Sequence, residues 1–397
     1  MTHHSPLSTI RSILGITVVS IGLLFTYTSD HLNKLTEVYA PQTLEQLYNR
    51  SQYVVPHSKN PISDAVVYAY AGSAHMNGSN PVLLNAEHPP HGKYLIGLLF
   101  QLTGYWKSSG IIVVISMIIF ILWYCTRRTR WGPHIYLLLF LLVTDTNIRY
   151  QIVGGPLLDI IQTALLVVHI TLVDISDRHP KNPWLLLSAG ISLGLLAGSK
   201  MYFPALVIVI VHGVYSIWKH RKSLKAPILS LMKMVLIGII TYVAGYSVGF
   251  IRYQMSLQTF IKSQLWTLHY WTDNSLQGAS MFGGYIPLIF LNQYHVWWGD
   301  TPIIPYEDWT FMWPISAIMI ILSMIYTLIA MFTLTPHISL PPRTFPFAER
   351  ITMWLIALCT YLLFIPISPR YLMLFFVPGY ILIALVTYAI STKHHQK

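Results

Sequence analysis

Residues 108–130 read SSGIIVVISMIIFILWYCTRRTR: from Gly110 to Cys125 no side chain carries a charge, and Arg127, Arg128 and Arg130 follow at once. A helix built on this run offers water no polar face, so lipid is the solvent that accepts it, with backbone groups satisfied inside the helix. The arginine cluster marks the end retained in the cytoplasm. The stretch decides for an all-α, polytopic membrane bundle, and composition agrees. Of 397 residues, 54% are hydrophobic and 10% charged, with a mean hydropathy of +0.54. A soluble domain carries about a quarter charged residues to cover its core, which excludes soluble enzyme folds.

Working outward, comparable runs occur at 13–28, 133–144, 153–173, 184–198, 201–218, 226–251, 311–334, 351–367 and 371–390, which predicts about ten transmembrane helices. The first follows Arg11 and lacks a small-residue cleavage site, so it is expected to remain as an uncleaved anchor. With the N-terminus inside, the inner loops collect Arg127, Arg128, Arg130, Arg178, Lys181, Lys219, Arg221, Lys222, Lys225, Arg343 and Arg350. Lys and Arg are then several-fold denser inside than outside, which places both termini in the cytoplasm and predicts a multi-pass protein of the plasma membrane. Residues 93–106, KYLIGLLFQLTGYW, make a helix of only about 21 Å, and counting it as a span would turn Arg127, Arg128 and Arg130 outward. It is assigned to the outer interface. Two large outer regions result, 29–109 with interfacial helices and 252–310, within a single membrane unit covering 1–397.

The net charge of +11 punctuates apolar runs instead of forming a patch, so it reads as topogenic and predicts no nucleic-acid partner. Cys125 and Cys359 each lie inside an apolar run, giving no basis for a disulfide framework or a cysteine metal site. Of the 14 carboxylates, all but Asp174, Asp177 and Glu349 fall on the outer side. Acids gathered at one membrane face fit chemistry done at that face, whereas a transport path calls for charge at mid-bilayer. Asp159, in Pro156-Leu-Leu-Asp159 at the outer start of a span, must reach a water-filled cavity or a cation.

The segment Asn85-Ala-Glu-His88-Pro89-Pro90-His91-Gly92-Lys93, with Asp64 upstream and the interfacial helix after it, resembles the first outer loop of the GT-C glycosyltransferases. The likeness is greatest to the protein O-mannosyltransferase family, whose loop carries an early acid and then His-Pro-Pro-Leu-Gly-Lys. Pro156-Leu-Leu-Asp159, Leu193-Gly-Leu-Leu-Ala-Gly-Ser-Lys200 and Phe260-Ile-Lys-Ser-Gln-Leu-Trp-Thr-Leu-His269-Tyr270 are similar to later stretches of that family. Ser368-Pro-Arg370-Tyr371-Leu-Met-Leu-Phe-Phe-Val-Pro378 resembles a segment of related bacterial lipid-modifying transferases. Departures accompany the likeness: the family's Asp-Glu pair is Asp64-Ala65, its Leu after Pro-Pro is His91, and an Arg it often places before the span's Asp is Gly154, with Arg149 as a substitute.

The resemblance implies a GT-C fold and an inverting transfer of a sugar, mannose in that family, from a polyprenyl-phosphate donor. The acceptor is a hydroxyl of a protein, lipid or glycan at the outer or lumenal face. Membrane lipids surround the protein, and no cofactor or metal is called for. Such a transfer needs a base for the acceptor hydroxyl and cations for the departing phosphate. Asp64 is the candidate base, and as Ile62-Ser63-Asp64 before an apolar run it equally fits an N-cap. Lys93, Arg370, Lys200 and Arg149 are candidate donor-phosphate cations, or snorkelling side chains that reach lipid headgroups. Glu87, His88, Asp159, His269 and Tyr270 are candidate substrate contacts; His88 serves equally as a loop hydrogen-bonder and Tyr270 as an interface aromatic. Two other readings are a transporter or lipid flippase, which calls for broken helices and repeat symmetry, and a catalytically silent relative serving as a scaffold.

Overall fold

The computed structural model describes residues 37–38, 40–129, 131–221, 223–275, 282–296, 303–332 and 344–394. The expected anchor at 13–28, together with Arg130, Lys222 and Arg343, lies outside the described residues. The chain is all-helical, and among the described residues the only β pairing is the isolated bridges Val38 to Tyr105 and Tyr294 to Ile304. Three helices form the first outer region: α1 (Pro41–Asn49), α2 (Asp64–Met76) and α3 (His91–Thr103). The bundle follows with α4 (Ser108–Arg128), α5 (Pro133–Thr144), α6 (Thr146–Val153), α7 (Leu158–Arg178), α8 (Pro183–Ala197), α9 (Phe203–Lys219) and α10 (Lys225–Ala244). After the short α11 (Ser247–Arg252) come α12 (Leu257–Ser275) and α13 (Tyr285–Leu291), then α14 (Met312–Phe332), α15 (Phe345–Leu362) and α16 (Met373–His394).

Among these, α4, α7, α10, α14 and the stretch ending in α16 are long and apolar enough to cross a membrane, and α5, α8 and α9 are shorter apolar helices. Their positions in the bundle follow from composition. Helix α16 is apolar all round and nearly every residue from Leu372 to Ala389 is buried, so it is the central post. On α10 only Met234 and Gly238 are buried; Leu231 and Val235 pack half-buried against the core, while Met232, Leu236, Ile239 and Ile240 face outward as on a peripheral helix in lipid. Small residues permit close crossings: a Cβ on Gly97 would stand 2.2 Å from the Gly72 carbonyl oxygen, so α2 and α3 pack backbone against backbone.

Two expected spans are corrected. The run at 153–173 begins only at Leu158, because Gly155 takes φ +108° and Pro156 follows it, which breaks the chain between α6 and α7. The run at 226–251 is not one helix. It stops at Ala244, where Gly245 N–H donates to the Tyr242 carbonyl and Tyr246 N–H to Val243. That tightening leaves the Thr241 carbonyl to another donor, and His91 Nε2–H supplies it at 3.0 Å.

Charged side chains collect at the two ends of the bundle. At the end where α4, α7 and α9 finish and α15 begins, Asp174 accepts from Tyr124, from Arg128 at 2.7 Å, Arg178 at 3.0 Å and Arg350 at 3.2 Å. Arg350 also pairs with Asp177, while Glu349 accepts from Tyr215 at 2.9 Å and Lys219 at 3.3 Å. These cations, expected only as topogenic charge, also staple four helices together. Asp64, Asp159, Lys200 and Arg370 lie at the opposite end, where α2, α7, α9 and α16 begin.

Candidate active site

The site is built on a loop whose direction two prolines fix. Pro89 and Pro90 turn residues 85–90 into the first turn of α3. His91 then anchors the loop: its N–H donates to the Gly198 carbonyl at 2.9 Å, and its ring lies between Gly198 and Gly245, where a Cβ on either glycine would fall within 2.3 Å of ring atoms. This side chain is thus the link between the loop, the α8–α9 corner and the broken end of α10.

Lys93 was expected to meet donor phosphate, and the structure gives it other work. Its side chain is fully enclosed, and Nζ donates to the Asn85 carbonyl at 2.7 Å, the His88 carbonyl at 2.7 Å and Asn85 Oδ1 at 3.3 Å. Three donors meet three acceptors, which fixes the loop and leaves the ammonium facing inward. Burial pulls the Lys93 amine down to about 7, against the opposing charge of Glu87. His88 is likewise a strut: Nδ1–H donates to the Lys200 carbonyl at 3.0 Å, and burial, with the charges of Lys200 and Lys93, holds its pKa well below the usual value and keeps the ring neutral.

From the other side α12 clasps the same loop. Thr267 Oγ1 donates to the Ala86 carbonyl at 3.0 Å and Trp271 Nε1 to the Glu87 carbonyl at 2.8 Å. Thr267 and Trp271 are four residues apart, so both face the loop. The expected His269 and Tyr270 lie on the exposed part of this helix, with the Tyr270 ring 5.5 Å from that of Trp271. Trp271 is the aromatic that enters the site, with its ring 5.2 Å from that of His88.

Four charges alternate in a line. Lys200 Nζ lies 2.5 Å from Asp159 Oδ1 and 4.6 Å from the centre of the Tyr371 ring. Arg370 Nη1 stands 3.9 Å from Asp159 Oδ2, and its Nη2 donates to Asp64 Oδ2 at 2.8 Å. Lys200 and Asp159 are enclosed, each 3% exposed, while Asp64 at 38% opens to solvent. Burial lowers the Lys200 pKa, opposed by Asp159. Asp159 therefore holds two cations where an unpaired charge would be costly. Ser63 occupies the N-cap of α2 and Asp64 its first turn. Asp64 Oδ2 takes the arginine, which leaves Oδ1 for a second partner. Arg149 stands apart on α6, where its charge acts on Asp308.

Beside this line opens a cleft with about 110 Å³ of room for the centres of water-sized molecules. Glu87 and Lys200 mark its polar end, and Met201, Phe203, Ile365 and Pro366 its apolar walls, with Leu268 and Trp271 of α12 closing one side. Burial raises the Glu87 pKa, opposed by Lys93, and Asn85 Nδ2 donates to Glu87 Oε1 at 2.5 Å. An elongated apolar molecule with an anionic head suits such a space, with head at Lys200 and tail on the apolar walls.

No family model and no curated protein matches the chain. Among solved structures it is similar to ArnT from Cupriavidus metallidurans bound to undecaprenyl phosphate, with a TM-score of 0.56 and 13% identity over 95% of this chain and 60% of that one. It is also similar to the Archaeoglobus fulgidus oligosaccharyltransferase tethered with an acceptor peptide, with a TM-score of 0.54 and 12% identity over 97% of this chain and 50% of that one. The apo form of the latter gives 0.52 at 11% identity. The chain thus spans half to three-fifths of the length of these proteins and shares their fold.

Proposed function

We propose that this chain is a membrane glycosyltransferase that moves a sugar from a polyprenyl-phosphate donor to an acceptor hydroxyl at the outer or lumenal face, by one inverting displacement. The observation that carries the reading is the line Lys200, Asp159, Arg370, Asp64 beside an apolar cleft. The density of basic residues on the far side of the bundle supports the orientation.

In this reading the prenyl chain lies along the apolar walls of the cleft, and the phosphate meets Lys200 and Arg370. As the bond from the anomeric carbon to phosphate oxygen breaks, the phosphate gains negative charge. Cations already fixed by Asp159 compensate it without reorganising, an effect worth about 10²–10³ in rate for each donor. Asp64 Oδ1 takes the acceptor proton as the hydroxyl oxygen attacks. A phosphate leaves well without an acid, so one carboxylate suffices where a glycosidase needs two. Asp64-Ala65 in place of an Asp-Glu pair is therefore compatible with catalysis. Lys93, His88, His91 and Trp271 keep the loop and Glu87 in place.

The likeness of the His-Pro-Pro loop to the O-mannosyltransferases makes mannose the first sugar to try. Purified protein in lipid nanodiscs, given labelled polyprenyl-phosphate hexoses together with peptide, lipid and glycan hydroxyl acceptors, is expected to move the label to an acceptor and leave polyprenyl phosphate. If no lipid-linked hexose in the panel is consumed, the proposal fails.

A further inference from the structure

Two banks of aromatic rings adjoin the segments that carry Asp64 and Glu87, and the chemistry above does not use them. On one bank Tyr53, Tyr48 and Tyr70 form a stack, with ring centres 6.1 Å and 4.7 Å apart and planes inclined by 14° and 29°. On the other, Tyr270 stacks on Trp266 at 5.5 Å and 29°. The charges of Asp64 and Glu87 raise the pKa of both Tyr53 and Tyr270, after burial, and Tyr270 itself acts on Tyr53. Gln52, next to Tyr53, bonds both the carbonyl and the N–H of Ile62, two residues before Asp64, and the Tyr270 ring lies 5.5 Å from that of Trp271, whose Nε1 donates to the Glu87 carbonyl, so the two banks flank the same two carboxylates. Tyr53 and Tyr270 remain 38% and 37% exposed, which leaves aromatic surface uncovered.

Interface aromatics place an apolar body in lipid and a hydroxyl in water. These rings instead flank carboxylates, and that pairing suits a ligand with a C–H face and a rim of hydroxyls. Ring faces take the first and carboxylate oxygens the second, each hydroxyl donating to a charged acceptor. A Ser/Thr peptide presents one hydroxyl on a backbone that needs its own amide partners.

We propose that the acceptor is a saccharide, seated between Tyr53 and Tyr270 with one hydroxyl at Asp64. This rests on the transferase reading and adds its acceptor class. In the step, the saccharide hydroxyl oxygen bonds to the donor's anomeric carbon as the bond from that carbon to phosphate oxygen breaks with its electron pair. The hydroxyl proton passes to Asp64 and then to solvent or the released phosphate, giving a glycoside and polyprenyl phosphate.

The test uses the full chain in nanodiscs with labelled polyprenyl-phosphate hexose, offering neutral oligosaccharides in one arm and a Ser/Thr-rich peptide in the other. Label is expected in the oligosaccharide. Tyr53→Ala is expected to raise the acceptor KM tenfold or more with the donor KM within twofold of the wild type, and Tyr53→Phe, which keeps the ring, to stay near the wild type. Label in the peptide alone, or an unchanged acceptor KM in Tyr53→Ala, overturns the proposal. Donor consumed to free hexose without labelled oligosaccharide sinks the saccharide acceptor while sparing the transferase. Donor left intact in every arm sinks both.

Discussion

Asp64→Asn is expected to lower transfer by about 10²–10⁴-fold while donor affinity stays within a few-fold of the wild type, the usual loss when a positioned general base is removed. Asparagine keeps the size of the side chain, and its amide oxygen can still accept from Arg370 Nη2, so the change falls on proton acceptance. Donor binding is expected to hold or tighten slightly, because one negative charge leaves the neighbourhood of the incoming phosphate. Single-turnover transfer with donor affinity measured on the same preparation separates the two effects. An unchanged rate removes Asp64 from the chemistry; a loss of donor affinity to match the loss of rate moves its role to binding.

The second large effect lies at the other end of the bundle. Asp174→Leu is expected to destabilise the protein by about 3–5 kcal/mol, the cost of removing one partner from a buried charge network. Arg350, 2% exposed, and the half-buried Arg128 and Arg178 then lose a shared carboxylate. The change falls about 22 Å along α7 from Asp159, so transfer per folded molecule is expected to hold. Thermal unfolding in micelles measures the first effect and specific activity of the folded fraction the second. The double variant Asp174→Leu with Arg350→Leu is expected to recover part of the loss, because fewer buried charges then lack a partner.

What the sequence made legible follows from which features are local. The run 110–125 forms α4 almost as read, since length and hydropathy alone decide a membrane helix. The break after Ala244 was hidden, for no proline marks it and its stabilising donor, His91, lies far away in sequence. At the site, Asp64, Asp159, Lys200 and Arg370 were each visible as residues, but their alternation in one line is a property of packing. Lys93 shows why charge alone misleads: a lysine one turn into a helix after Pro-Pro reaches back to loop carbonyls, and no spacing reveals that direction. Helical phase could have singled out Trp271, which shares a face with Thr267 where Tyr270 does not. Asp174 passed unnoticed because its cations read so readily as topogenic charge.

The most direct measurement is a structure of the full chain with undecaprenyl phosphate bound. The account predicts the phosphate within ion-pair distance of Arg370 and Lys200, with the prenyl chain along Met201, Phe203 and Ile365. Phosphate seated instead at the far end of the bundle, among Arg128, Arg178 and Lys219, contradicts it.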